Sequence, residues 1–224
     1  VNVAAIMPCR GRAEQTVRNV KRLLATAGDV DWRLYLIGTR EDIIPINGLS
    51  DYASLVSVQS KRVTYWESLK LMTDEIDRTQ RHLQSNPVNL IVNLANDVLP
   101  GQHWLARAVA AHQETFGNWP GMVGFNDGHH ETEHSCHFLI SRSLLDMYGG
   151  WPVWYDHNFG DTELCQRAIA DGRYVKAPWA TLFHDHPYFG GADDSVYAEG
   201  RAQAERDQRL YEERRRQGWP MIRN

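Results

Sequence analysis

Cysteine is scarce in this chain of 224 residues. Cys9, Cys136 and Cys165 are scattered and odd in number, which argues against a disulfide framework and for a reducing compartment. Neither a Cys-x-x-Cys pair nor a His-Glu-x-x-His helix is present, so two common zinc signatures are missing. No apolar run is long enough to span a bilayer and no signal peptide is recognisable, so the expected location is cytoplasmic. The chain starts at Val1, which reads as loss of an initiator Met. Excess positive charge is also lacking. The net charge is −4, so the surface as a whole is not a magnet for nucleic acid. With no internal repeat and no low-complexity linker, one domain is expected over 1–224, with 195–224 a C-terminal helical tail.

Tryptophan and histidine, by contrast, are abundant, at 8 and 10 residues. Trp often lines binding sites, and His is the commonest metal ligand and acid–base group. Short apolar runs ended by turn residues read as buried strands at Val3–Met7, Trp32–Ile37, Leu55–Val58 and Val88–Leu94. Helical patterns are expected from Glu14 to Ala27, from the capping box Thr64-Tyr65-Trp66-Glu67 to Leu83, and from Pro100-Gly101 to Phe116. Strands alternating with helices imply an α/β domain with a mostly parallel central sheet covered on both faces. The second half reads as short strands (Met122–Phe125, His137–Ile140, Tyr174–Ala177, Ala180–Phe183). Short helices are capped by Ser141 and Asp161, and a polar solvated helix runs from Ser195 to Gln217. Ligands of such sheets bind at the carboxyl ends of strands, so the loops at Pro8–Arg12, Gly38–Arg40 and Asn96–Pro100 should surround one crevice.

Four polar clusters carry the candidate chemistry. Asn96-Asp97 ends a very apolar strand; it is either an ordinary turn or a carboxylate held out for a hard cation, Mg2+ or Mn2+, shared with substrate phosphates. Asp161 is either a plain N-cap or a general base kept ionised by the helix terminus, with Glu163 beside it. His184-Asp185-His186 follows a strand and is either exposed loop or a metal site. The densest cluster runs from Asn126 to His137 and includes Asp127, His129, His130, His134 and Cys136. It reads as a polar loop over an acceptor, with structural zinc the lesser alternative. Trp151, Trp154 and Tyr155 either pack in the core or offer flat faces to a sugar or base. In the tail, Arg201, Arg206, Arg209, Arg214, Arg215, Arg216 and Arg223 interleave with Glu205, Glu212 and Glu213. They form a solvated face or, less plainly, an edge for phosphates.

Taken in order, these residues resemble the inverting glycosyltransferases of family 2 with the GT-A fold, over roughly Val3 to Pro187. Val3–Pro8 with Arg10 and Arg12 resembles the first strand and nucleotide loop. Asn96-Asp97-Val98 with Pro100 and Trp104-Leu105 resembles the DxD segment. Gly160-Asp161-x-Glu163-Leu164-Cys165 resembles the Glu-Asp motif of the catalytic base, and His184 resembles the late metal-site His. The resemblance implies a nucleotide-diphosphate sugar donor, a UDP-sugar ahead of a GDP-sugar, held by Pro8, Arg10, Arg12, Gly38, Thr39 and Asn96. It implies Mn2+ or Mg2+ on Asp97, His184 and His186, and catalysis by Asp161 with Glu163. The acceptor hydroxyl would lie near Asp127, His129, His130, Trp154 and Tyr155, on a small molecule, a glycan or a hydroxymethylated DNA base. Three motifs depart from the pattern: Ala95 and Asn96 replace the first two DxD residues, Gly160 replaces the Glu of Glu-Asp, and Gly38-Thr39 stands where an acid ends the second strand. A nucleotidyltransferase and a non-catalytic sugar-nucleotide, glycan or DNA-binding module of the same fold are the alternatives.

Overall fold

The computed structural model describes residues 2–49, 51–84, 87–129, 134–187, 191 and 193–220. The elements follow in chain order as β1 (Val3–Pro8), α1 (Ala13–Thr26), β2 (Trp32–Thr39), α2 (Arg40–Ile43) with a 3-10 turn over Ile44–Leu49, β3 (Leu55–Gln59), α3 (Tyr65–Leu83), β4 (Leu90–Asn93) and β5 (Val98–Pro100). They continue as α4 (Trp104–Phe116), β6 (Met122–Asn126), β7 (Phe138–Ser141), α5 (Arg142–Met147), α6 (Gly160–Ala170), β8 (Tyr174–His184) and α7 (Ser195–Arg216).

The period-two alternation of a strand divides β1 between two cores. Val3, Ala5 and Met7 pack with Val20 and Leu23 of α1 and with Trp104, Leu105 and Ala108 of α4. Ala4 and Ile6 face the other way, onto Trp66, Leu69, Met72 and Ile76 of α3 and onto Leu144 and Leu164. Burial on both faces explains why β1 and, up to Asn93, β4 are apolar. The eight strands form one sheet in the order β3-β2-β1-β4-β7-β6-β8-β5. The run from β3 to β4 is parallel, β7 is antiparallel to both β4 and β6, and β8 is parallel to β6. The carboxyl ends of β1, β2 and β4 therefore open on one edge.

Three expectations need correction. Val98–Pro100 is a short strand, antiparallel to the end of β8 with Val98 opposite His184, so the following helix starts at Trp104 and not at Pro100. Tyr174–Ala177 and Ala180–Phe183 belong to one strand with a register shift at Phe125/Asn126 of β6; Pro178, which has no N–H for the ladder, lies between them. Nor is α7 a solvated tail. Asp207 is fully buried and accepts the N–H groups of Asp156, His157 and Asn158 at 3.0, 2.9 and 2.8 Å, while Arg214 is buried against α6. Among the described residues no helix is long and apolar enough to cross a membrane.

Candidate active site

Asp97 lies between β4 and β5, and its side chain is only 5% exposed. Its Oδ2 accepts from Arg12 Nη1 at 3.0 Å and from the Tyr197 hydroxyl at 2.7 Å, and lies 3.5 Å from His184 Nε2. The β5–β8 pairing brings His184 to this point. His137 arrives through Asn93 of β4, whose amide grips both flanking peptide groups: Nδ2 donates to the Cys136 carbonyl at 3.0 Å and Oδ1 accepts from Phe138 N–H at 2.7 Å. The His137 and His184 rings are 5.1 Å apart. One donor atom from each of Asp97, His137 and His184 falls within 4.8 Å of the others.

This triad fits a metal ion on an independent observation. Asp97 Oδ1, both ring nitrogens of His137, and His184 Nδ1 are buried without a hydrogen-bond partner among the described residues. Buried polar atoms left unpaired are costly, and an ion held among these three residues would give such atoms a partner. Two imidazoles and one carboxylate suit Mn2+ or another first-row ion better than Mg2+, which prefers oxygen alone. Burial opposes the charge on Asp97, but His184 and Tyr197 outweigh it and hold the carboxyl well below the usual range. Burial, reinforced by the neighbouring His184, brings His137 down to about 4 and leaves it neutral. At His184 burial is outweighed by Asp97, which raises it, so that ring must release a proton to bind an ion.

The second carboxylate is set by the start of α6. Phe159, in a left-handed conformation at φ 66°, caps the helix, so Asp161 is its second residue and not its cap. Asp161 Oδ1 accepts from Thr162 N–H at 2.8 Å, and Oδ2 lies 3.5 Å from His134 Nε2. Burial opposes ionisation, but the charge and hydrogen bond of His134 outweigh it and bring Asp161 down to about 2. The group therefore remains an ionised acceptor at any pH well above that. Gly160 is required by packing: a Cβ there would sit 2.3 Å from the Trp66 indole, whose Nε1 donates to His157 O at 3.1 Å. Trp66 thus excludes the Glu of the Glu-Asp pattern.

Asp97 and Asp161 share a cleft of ≈ 1010 Å³, into which Pro8, Arg10, Arg12, Gly38, Thr39, Asn96, His184 and His186 also project. The structure therefore brings together all six residues expected at the donor. Asn96 has a second job, because its Nδ2 reaches Arg10 O at 3.2 Å and Thr16 Oγ1 at 3.1 Å and so ties the two loops together. Asp42 does the same between β1 and β2, accepting from Gly11 N–H at 2.9 Å and from the Thr39 hydroxyl at 2.7 Å. His186 lines the cleft beside the triad, its ring edge-on to Tyr197, and the third member of the triad is His137 instead.

Glu163, Trp154 and Tyr155 lie elsewhere. The Glu163 carboxylate is fully buried and does not line the cleft. It takes two bonds of 2.8 Å from Arg214, one of 2.8 Å from the Tyr155 hydroxyl, one of 3.3 Å from Trp154 Nε1 and one of 3.4 Å from Arg167. Arg214 stacks over the Trp154 ring at 4.0 Å, so that face is already covered. This knot locks α7 to α6. Asp127 and His129 also fall outside the cleft lining: fully buried Asp127 accepts from His129 N–H at 3.0 Å. His130 lies outside the described residues, as does Arg223.

The cleft also holds residues for which sequence patterns provided little guidance. His134, Cys136 and His137 belong to the dense polar cluster, but their separate roles follow from the Asn93 grip, which no local pattern reveals. The start of α7 contributes Tyr197 and Glu199, and its cap Asp194, outside the lining, braces Arg12. Asp194 accepts from Arg12 Nη2 at 2.9 Å, Tyr197 packs its ring 3.8 Å from the Arg12 guanidinium, and Glu199 pairs with both Arg10 and Arg62.

No family model and no curated protein sequence matches the chain. Solved structures do. The chain is similar to the mannosyltransferase PcManGT of Pyrobaculum calidifontis, solved with GDP-Man and Mn2+, at a TM-score of 0.60 and 17% identity over 84% of this chain and 58% of that one. It is similar to residues 1–349 of Staphylococcus aureus TarS at a TM-score of 0.55 and 12% identity, over 82% and 60% of the two chains. A mutant Drosophila β-1,4-galactosyltransferase 7, solved with manganese, UDP-Gal and xylobiose, matches at a TM-score of 0.54 and 13% identity, over 87% and 75%. The chain thus spans about three fifths of the length of the first two. At these identities the likeness establishes one thing: the α/β fold is the GT-A-like fold of these glycosyltransferases.

Proposed function

We propose that the chain is a glycosyltransferase that moves a sugar from a nucleotide-diphosphate donor to an acceptor hydroxyl with inversion at the anomeric carbon. The observation that carries this reading is the pairing, in one cleft at the carboxyl edge of the sheet, of a buried ligand triad with an ionised Asp161. Asp97, His137 and His184 would hold a divalent ion. When bound, that ion neutralises charge on the departing nucleoside diphosphate. Arg10 and Arg12 reach the same cleft and supply charge-assisted hydrogen bonds to phosphate oxygens. Asp161 takes the proton of the acceptor hydroxyl as its oxygen bonds to the anomeric carbon and the bond to the diphosphate breaks. The neighbours solved with GDP-Man and with UDP-Gal support a nucleotide-sugar donor; we favour a UDP-sugar. The acceptor is a hydroxyl compound, with small molecules, glycans and hydroxymethylated DNA bases as the classes to screen.

The test is a panel of UDP- and GDP-sugars with Mn2+, scored for hydrolysis and for transfer. Asp161→Asn should abolish transfer while the donor still raises the melting temperature. Undiminished turnover in Asp161→Asn, or full activity of the wild type in EDTA, would overturn the assignment.

A further inference from the structure

A second set of donors lies beside the triad and shares no residue with it. His134 Nε2, Cys136 Sγ and a carboxylate oxygen of Asp161 all fall within 4.8 Å of one another. Nε2 is 3.5 Å from Asp161 Oδ2 and 4.0 Å from Cys136 Sγ. Tetrahedral Zn2+, with bonds of about 2.0 Å to N and O and about 2.3 Å to S, places its ligands about 3.3–3.5 Å apart. The His134–Asp161 pair therefore needs to contract by about 0.2 Å and the His134–Cys136 pair by about 0.5 Å. The backbone that carries it is already fixed: Ser135, between the two ligands, donates its hydroxyl to Phe125 O and is within 2.6 Å of His137 O, while Asn93 holds the Cys136 carbonyl. Cys136 and Asp161 both face the cleft, which leaves a fourth position for water or an incoming ligand.

We propose that His134, Cys136 and Asp161 form a second metal site, selective for Zn2+ and similar thiophilic ions over Mn2+. Sulfur is the discriminating donor, because thiolate selects zinc whereas manganese takes oxygen and imidazole donors over sulfur. On binding, the Cys136 thiol and the His134 Nε2–H each release a proton to solvent, and the freed sulfur and nitrogen join the ion beside the Asp161 carboxylate. A consequence that rests on the transferase reading follows: an ion here uses the Asp161 oxygen that would accept the acceptor's proton. Zn2+ then inhibits where Mn2+ activates.

The probe is Co2+, titrated into chelator-stripped protein and followed by its sulfur-to-cobalt charge-transfer absorption. Cys136 also neighbours His184, so variants must separate the two sites. The expected result is a band that saturates, is displaced by Zn2+, is lost in Cys136→Ser and His134→Ala, and persists in His137→Ala. A wild-type protein without the band, or a band that persists in His134→Ala, overturns the site. A measurement free of variants runs beside it: Zn2+ should protect Cys136 of the wild type from iodoacetamide at least tenfold, and equal labelling with and without Zn2+ also overturns the site. A band without Zn2+ inhibition of transfer upholds the site and contradicts Asp161 as the base. Inhibition without a band overturns the site and places the inhibiting Zn2+ on the Asp97 triad.

Discussion

Replacing Glu163 with Gln separates a structural role from a chemical one. The carboxylate is wholly buried, and Arg214, whose side chain is 3% exposed, meets it with two bonds of 2.8 Å. Removing the charge of one partner leaves the other buried and uncompensated, which costs about 3–5 kcal/mol. The low end applies here, since Gln keeps an acceptor oxygen for Tyr155 or Arg214. A loss of about 3 kcal/mol in a domain of this size lowers Tm by about 6–12 °C. Arg214→Gln should cost a similar amount, and the double variant less than the sum, because the two side chains form one unit. The assay is thermal unfolding followed by circular dichroism, with turnover measured well below the lowered Tm. Turnover there should stay within a few-fold of wild type, because Glu163 does not line the cleft. An unchanged Tm together with lost turnover would refute the reasoning and return Glu163 to the chemistry.

Other outcomes follow from single contacts. Gly160→Ala drives a Cβ to 2.3 Å from the Trp66 ring and should destabilise the fold by about 1–3 kcal/mol in chemical denaturation, with partial rescue by Trp66→Leu. Burial pushes the Cys9 thiol up to about 12, so at pH 8 only about one molecule in ten thousand carries the reactive thiolate. Mass spectrometry of the folded protein alkylated in EDTA should therefore find Cys136 labelled and Cys9 untouched. Tyr197→Phe removes the hydroxyl that orients Asp97 at 2.7 Å and should weaken Mn2+ binding about tenfold or more in calorimetry while leaving Tm nearly unchanged. A Tm collapse would mean that the hydroxyl serves folding instead.

Much of the fold was readable because its strands are short apolar runs closed by turn residues and its long helices carry one apolar face. The alternation of Val3–Met7 and the capping box at Thr64 are local signals, and local signals suffice for local structure. β5 was missed because a three-residue strand is defined by its partner, and Val98 meets His184 across 85 intervening residues. Half of the candidate site was legible for the same reason: Asp97 follows a strand, His184 ends one and Asp161 opens a helix. His137 was not, since its place depends on the Asn93 amide of another strand. Glu163, two residues from Asp161, looks catalytic in sequence but falls outside the cleft, where Arg214, 51 residues away, meets it. The Arg-rich tail misled in the same way: its composition is that of a solvated face, yet Asp207, Tyr197 and Arg214 point inward.

Calorimetric titration of UDP and GDP into wild-type protein and Asp97→Asn, each with Mn2+ and again in EDTA, tests the central claim most directly. The account predicts that at least one nucleotide binds the wild type at least tenfold more tightly with Mn2+ than in EDTA, and that Asp97→Asn erases the difference while remaining folded. Equal affinity in EDTA, or a Mn2+ effect that survives Asp97→Asn, would contradict it.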